Sequence, residues 1–169
     1  LFIDNDSWTH GGAVGIDVAD GQTMTADFDD CIFESNNADS SGGAISAGGW
    51  GDIYLEVRNS TFTSNTTGTE GGAINAGGWG DLHLTVEDSV FDLNTADQNG
   101  GAVNAGANND MWVTISGSTF TGNHAGYEGA AVDLFIGDPH HDDVAMTAAI
   151  TDTTFEDNTS GYAGGAVSG

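Results

Sequence analysis

Positive charge is almost missing from this chain. Arg58 stands alone against 26 acidic residues, and the formal charge is −25. A phosphate backbone would be repelled, which excludes nucleic acid as a partner. An anionic membrane surface is excluded on the same ground. The charge suits cations, neutral sugars or a saline medium, and its self-repulsion favours solubility at some cost to the compact state. Cysteine is as scarce: Cys31 has no partner for an internal disulfide, so cysteine usage does not identify a compartment. A single proline among 27 glycines argues against a disordered linker, which is usually rich in both. No apolar run approaches the ~20 residues of a membrane span, so no membrane insertion is expected of this segment. Helical periodicity is absent throughout. No signal peptide is recognisable, and Leu1 and Gly169 both fall inside repeats. Residues 1–169 therefore read as one β-helix fragment of a longer protein, with targeting and capping segments expected elsewhere.

What the chain does have is a repeat. Phe-x-x-Asn occurs at Phe2/Asn5, Phe33/Asn36, Phe62/Asn65, Phe91/Asn94, Phe120/Asn123 and Phe155/Asn158, with phenylalanine spacings of 31, 29, 29, 29 and 35. Nine residues after each Phe, Gly11, Gly42, Gly71, Gly100, Gly129 and Gly164 open a Gly-Gly-Ala-Ile/Val motif, which reads Gly129-Ala130-Ala131-Val132 in the fifth copy. Between that motif and the next Phe lies a strictly alternating segment. It reads Met24-x-Ala26-x-Phe28, Ile53-x-Leu55-x-Val57, Leu82-x-Leu84-x-Val86, Met111-x-Val113-x-Ile115 and Met146-x-Ala148-x-Ile150. Alternation is the period of a half-buried strand. Asp30, Asn59, Asp88, Gly117 and Asp152 follow it and are types that tolerate a left-handed turn.

Three strands per repeat, stacked copy on copy, predict an all-β fold. Specifically, they predict a right-handed, single-stranded parallel β-helix, a solenoid of five to six coils of about 29 residues. Stacking puts identical residues in columns: an internal phenylalanine stack, an asparagine ladder at one corner, and the small column Cys31, Ser60, Ser89, Ser118 and Thr153. Cys31 is thereby expected in the core rather than as a nucleophile.

The paired Phe-x-x-Asn and Gly-Gly-Ala-Ile/Val motifs resemble the repeat of the polymorphic outer membrane proteins, and more broadly of bacterial right-handed β-helix repeat proteins. The resemblance covers essentially the whole chain. It implies an extracellular or cell-surface location and an adhesin-like, structural role. The wider superfamily also holds pectate lyases, polygalacturonases and phage tailspikes, so a carbohydrate-active enzyme is the alternative, and a subunit of an extracellular filament is another.

Three places could carry chemistry. Gly48-Gly49-Trp50-Gly51-Asp52 recurs as Gly77-Gly78-Trp79-Gly80-Asp81 and decays to Ala107-Asn108-Asn109-Asp110. Asp52, Asp81 and Asp110 should form one column, where a hard cation such as Ca²⁺ would relieve repulsion between neighbours ~5 Å apart. Otherwise they are solvated acidic turns. The nonapeptide of calcium-binding β-rolls is absent, and Ca²⁺ is the one cofactor suggested. Next, Tyr54, His83 and Trp112 fall on the outward side of the alternating strand, with Trp50 and Trp79 just before it. Exposed aromatics in a row suit a carbohydrate, a protein surface or copies of the chain itself; lateral stacking along the solenoid is the plainer reading. Last, Gly137-Asp138-Pro139-His140-His141-Asp142-Asp143 lengthens one coil and reads as a solvated loop, with a transition-metal site as the sharper alternative. Catalysis finds little support. There is no Ser-His-Asp spacing, Walker loop or nucleotide fingerprint, and a lyase acting on acidic polysaccharides would want basic residues that the chain lacks.

Overall fold

The computed structural model describes residues 1–137 and 144–169. These residues form a parallel β-solenoid with no helix among them, and hence no helix able to cross a membrane. Every strand pairs in parallel with its counterpart one coil away. The phenylalanine sheet has six strands, Phe2–Ile3, Ile32–Glu34, Thr61–Thr63, Val90–Asp92, Thr119–Thr121 and Thr154–Glu156. A glycine–alanine sheet, also six-stranded, runs through Val14–Val18, Ile45–Gly49, Ile74–Gly78, Val103–Ala107, Val132–Ile136 and Val167–Ser168. The alternating sheet has five strands, Thr23–Asp29, Asp52–Arg58, Leu82–Glu87, Met111–Ser116 and Met146–Thr151.

The structure adds a fourth strand to each coil beyond the three expected. It is two residues long, Asn37–Ala38 in the second coil and Thr66–Thr67 in the third, and the six copies form a corner sheet of their own. Two residues carry no period, so no pattern announces the strand. Its inward member is small, with Ala38, Ala96 and Ala125 fully buried.

Period two dictates what lies inside. Ile53, Leu55 and Val57 are buried, as are Leu82, Leu84 and Val86 and then Met111, Val113 and Ile115, while the residues between them face out. Phe33, Phe62, Phe91 and Phe120 are fully buried and stack face to face with centroids 4.6–4.8 Å apart. That spacing equals the separation of paired strands, so the backbone ladder sets the ring separation. The stack extends to the half-buried Phe2 and Phe155 at its ends.

The asparagine corner satisfies itself. Asn65 Nδ2 donates to Asn94 Oδ1 at 2.9 Å and to the Phe33 carbonyl at 3.0 Å, and Asn65 N donates to that same Oδ1 at 3.0 Å. The pattern repeats from Asn36 to Asn123 with no amide hydrogen left over. The serine column forms a second ladder. Ser60 Oγ donates to the Arg58 carbonyl at 2.7 Å and accepts from Cys31 N at 3.0 Å, and Ser60 N donates to Ser89 Oγ at 3.1 Å. Cys31 packs against the core, and its Sγ lies 3.4 Å from the Asp29 carbonyl oxygen.

Left-handed residues make the corners. Asp30, Asn59, Asp88, Gly117 and Asp152 have φ of 48 to 59°, as their types suggested. A second left-handed column precedes each asparagine: Asp4, Ser35, Ser64, Leu93, Gly122 and Asp157, at 53 to 61°. The first glycine of each Gly-Gly motif is also left-handed, and a Cβ on Gly71 would lie 2.2 Å from the Ile74 carbonyl oxygen.

Two substitutions follow. Phe91→Ala removes the middle ring and should cost about 3–5 kcal/mol in denaturant unfolding; a loss below about 1 kcal/mol would place the ring outside the core. Leu93 is the misfit of its column, since a left-handed L-residue costs roughly 1–2 kcal/mol and the side chain is 55% exposed. Leu93→Asn should therefore stabilise by about 1 kcal/mol, and a destabilised variant would show that the φ of 55° carries no strain.

Candidate functional site

The alternating sheet places Tyr54, His83 and Trp112 in register on its outer face. Adjacent rings stack at 4.3 Å with interplanar angles of 6° and 10°. Trp50 and Trp79, at the entry to their strands, stack at 4.8 Å. The expected stripe is thus assembled, and its members are exposed except for the half-buried His83. Because the rings lie parallel to their neighbours at coil spacing, they turn their faces to one another and mainly their edges to solvent. Thr25 and Thr147 pair with the two ends of the Tyr54–Trp112 row.

Asp52, Asp81 and Asp110 fall on consecutive coils, since Ile53 N donates to the Asp81 carbonyl and Leu82 N to that of Asp110. Two of the three carboxylates, those of Asp52 and Asp110, cap backbone. Asp81 N donates to Asp52 Oδ1 at 3.0 Å, and Ala145 N donates to Asp110 Oδ1 at 2.9 Å. Asp81 Oδ1 accepts instead from the side-chain Nδ2 of Asn109. Among the described residues, no three His, Cys, Asp or Glu side chains converge as a group able to hold a metal ion. On the same sheet, Arg58 bridges Asp27, at 2.5 Å, and Glu56; its hydrogen bond to Glu56, with the nearby carboxylates, raises its pKa. The six residues Asp138 to Asp143, with His140 and His141, lie outside the described residues.

A second surface was not anticipated. On the glycine–alanine sheet, Ser46, Asn75, Asn104, Asp133 and Ser168 form an outward column in strand register. Ser46, Asn104 and Asp133 are nevertheless buried. Beside them runs a wall made by the residues before the motif glycines, including Glu70, Asn99 and Glu128. Three hollows of ≈ 470, 230 and 360 Å³ follow this column and share lining residues, the first two Asn75 and the last two Glu70 and Phe135. They form one groove along the solenoid. The clue in the sequence was the polar residue after Ile45, Ile74, Val103 and Val132, at the outward position of a strand whose other residues are apolar or glycine.

Glu70 lies in this groove, and burial, reinforced by the charge of Asp133, holds its carboxyl pKa above the ordinary value. A carboxyl whose folded pKa is raised contributes stability below its unfolded pKa and loses it as pH rises through the folded value. Ionised Glu70 is therefore a liability at neutral pH. Glu70→Gln should raise the melting temperature at pH 7, with the gain shrinking toward zero as pH falls below the ordinary carboxylate range. A gain that is equal at both pH values would show that charge is not the cause.

The model of the Chlamydia polymorphic membrane protein repeat matches residues 30–48, 59–77 and 152–169. No curated protein and no solved structure matches the chain. Each matched stretch runs from the left-handed turn, through the phenylalanine strand and asparagine corner, into the glycine–alanine strand. Trp50, Tyr54, Trp79, His83, Trp112 and the three aspartates all fall outside it. What is matched is the part that stacks the coils: the chain is a parallel β-solenoid, three stretches of which are similar to the polymorphic membrane protein repeat.

Proposed function

We propose that this chain is a structural, adhesive β-helix module of a secreted or cell-surface protein, without catalytic activity of its own, and that it meets its partner through the aromatic stripe. The observation that carries this reading is the placement of Tyr54, His83 and Trp112 in one outward column on a sheet whose inward positions are all apolar. The stripe rests on a rigid scaffold, so little order has to be gained on contact. Its ring edges suit a protein surface or a second copy of the chain better than the flat face of a sugar. The name of the matched repeat family supports a surface location, and the −25 charge keeps such a module soluble while disfavouring anionic partners. In this reading Asp52 and Asp110 cap backbone of the next coil and Asp81 ties to the Asn109 side chain, and calcium is not required.

One observation favours a polysaccharide-active enzyme as a second reading: Glu70, its carboxyl pKa raised by burial and by Asp133, shares a groove with Asp133 and Glu128, and glycoside hydrolysis uses two carboxyl groups, the acid among them raised in pKa.

The test is the triple variant Tyr54→Ser, Trp79→Ser and Trp112→Ser. Beads coated with the parent should adhere to protein-coated, glycan-coated or parent-coated surfaces, and the folded variant should adhere at least tenfold less. A parent that adheres to none of them, or a folded variant that adheres equally, contradicts the proposal.

A further inference from the structure

The aromatic stripe is set in acidic surroundings. Along each coil the chain runs Trp, Asp, aromatic at alternate positions: Trp50, Asp52 and Tyr54, then Trp79, Asp81 and His83. The column of Asp52, Asp81 and Asp110 therefore borders the Tyr54–Trp112 row on its entry side, and all three aspartates are half-buried. On the exit side the next outward column holds Asp27 and Glu56, and the one after it holds Asp29 and Glu87. Among the described residues Arg58 is the one cation of this face, and its ion pairs go to Asp27 and Glu56.

That setting selects among partners. The rings of the row cover one another's faces at 4.3 Å, so an ammonium, which is drawn to a ring face, finds little to rest on within the row. Aliphatic stems can still lie along the exposed edges. A second copy of the chain would set acidic columns against acidic columns, because a two-fold contact matches a patch with itself, and both copies carry −25. Partly buried carboxylates are screened less by salt than those in open water, so the face keeps its demand for positive charge in a saline medium.

We propose, resting on the adhesive reading of the stripe, that its partner is a cationic protein surface. Lysine and arginine stems lie along the ring edges, and their heads reach the carboxylates on either side. Long basic side chains suit this division, with an apolar stem that packs and a charged head that stays at the carboxylate. Successive outward columns of a strand lie about 7 Å apart, comparable to the length of a four-carbon lysine stem with its ammonium. The flanking charges steer encounter and set register, while the rings supply the water-excluding contact.

Surface-plasmon titration of the whole chain over immobilised decalysine, decaserine, decaglutamate and the parent chain, at about 150 mM salt, tests this. Decalysine should bind most tightly. The triple stripe variant keeps the parent's charge, and when folded it should bind decalysine at least tenfold less. Asp52→Asn, Asp81→Asn and Asp110→Asn together, which keep an oxygen to accept each hydrogen bond, should also weaken it at least tenfold. Glu34→Gln, Asp39→Asn and Asp97→Asn, at exposed positions on other faces, change the net charge equally. They should weaken binding at most about twofold, because charge beyond a Debye length is screened at this salt. The proposal is overturned if the two charge variants weaken binding equally, if the folded stripe variant binds decalysine as the parent does, or if decalysine is not the tightest of the four. Tighter binding to decaserine or to the parent, lost in the stripe variant, would end this proposal and keep the adhesive reading; a stripe variant that loses nothing on any surface would end both.

Discussion

Each coil must present to the next, about 4.8 Å away, a surface that the next coil can answer in kind. Everything else in the molecule follows from that vertical constraint. A side chain able both to donate and to accept along the solenoid axis can stand at the same position in every coil. Asparagine does so at the corner, where Oδ1 takes two hydrogen bonds from the coil before and Nδ2 serves that coil's phenylalanine carbonyl and the next coil's Oδ1. Serine does so at the other turn, donating to a carbonyl two residues back and accepting from the backbone N–H of the preceding coil. Phenylalanine does the same with its two faces. These three columns convert a short motif into a rod.

The same constraint acts on charge, because like groups also stack. The surface breaks up several of its acidic columns with donors. Asn37 Nδ2 donates to Asp6 Oδ1, and Asn59 Nδ2 to Asp29 Oδ1, each at 2.8 Å. Arg58, the sole cation of its kind, sits among Asp27, Asp29 and Glu56 on one sheet. Ser168 donates to Asp133. Glu70, in the groove, is pressed by burial and by Asp133.

The solenoid was legible in the sequence because its cause is periodic. Six phenylalanines and six asparagines in constant register left few alternatives, and the turn types at Asp30, Asn59, Asp88, Gly117 and Asp152 announced their left-handed φ. The two-residue corner strands were not legible, since alternation needs more than two residues to show. Leu93 concealed the second left-handed column, because leucine carries none of the signals that Asp4, Ser35, Ser64, Gly122 and Asp157 give there. The aromatic stripe was found because alternation fixes which residues face out. That its rings would cover one another's faces depended on coil spacing and ring orientation. The groove was missed because Ser46, Asn75, Asn104 and Asp133 are single polar residues beside the glycine motif with no alternation of their own to mark a face, and because its other wall comes from a separate part of the coil.

The central claim is that the asparagine ladder holds the coils in register. Asn94→Ala would leave two donors of Asn65 and the Phe62 carbonyl without partners, and each orphaned buried group costs about 1–3 kcal/mol. Equilibrium unfolding of this variant, measured beside Asn37→Ala in the neighbouring, more exposed column, is the most direct test. The account predicts that Asn94→Ala loses about 3 kcal/mol or more, while Asn37→Ala loses less than about 1 kcal/mol. Equal and small losses at the two positions would contradict it.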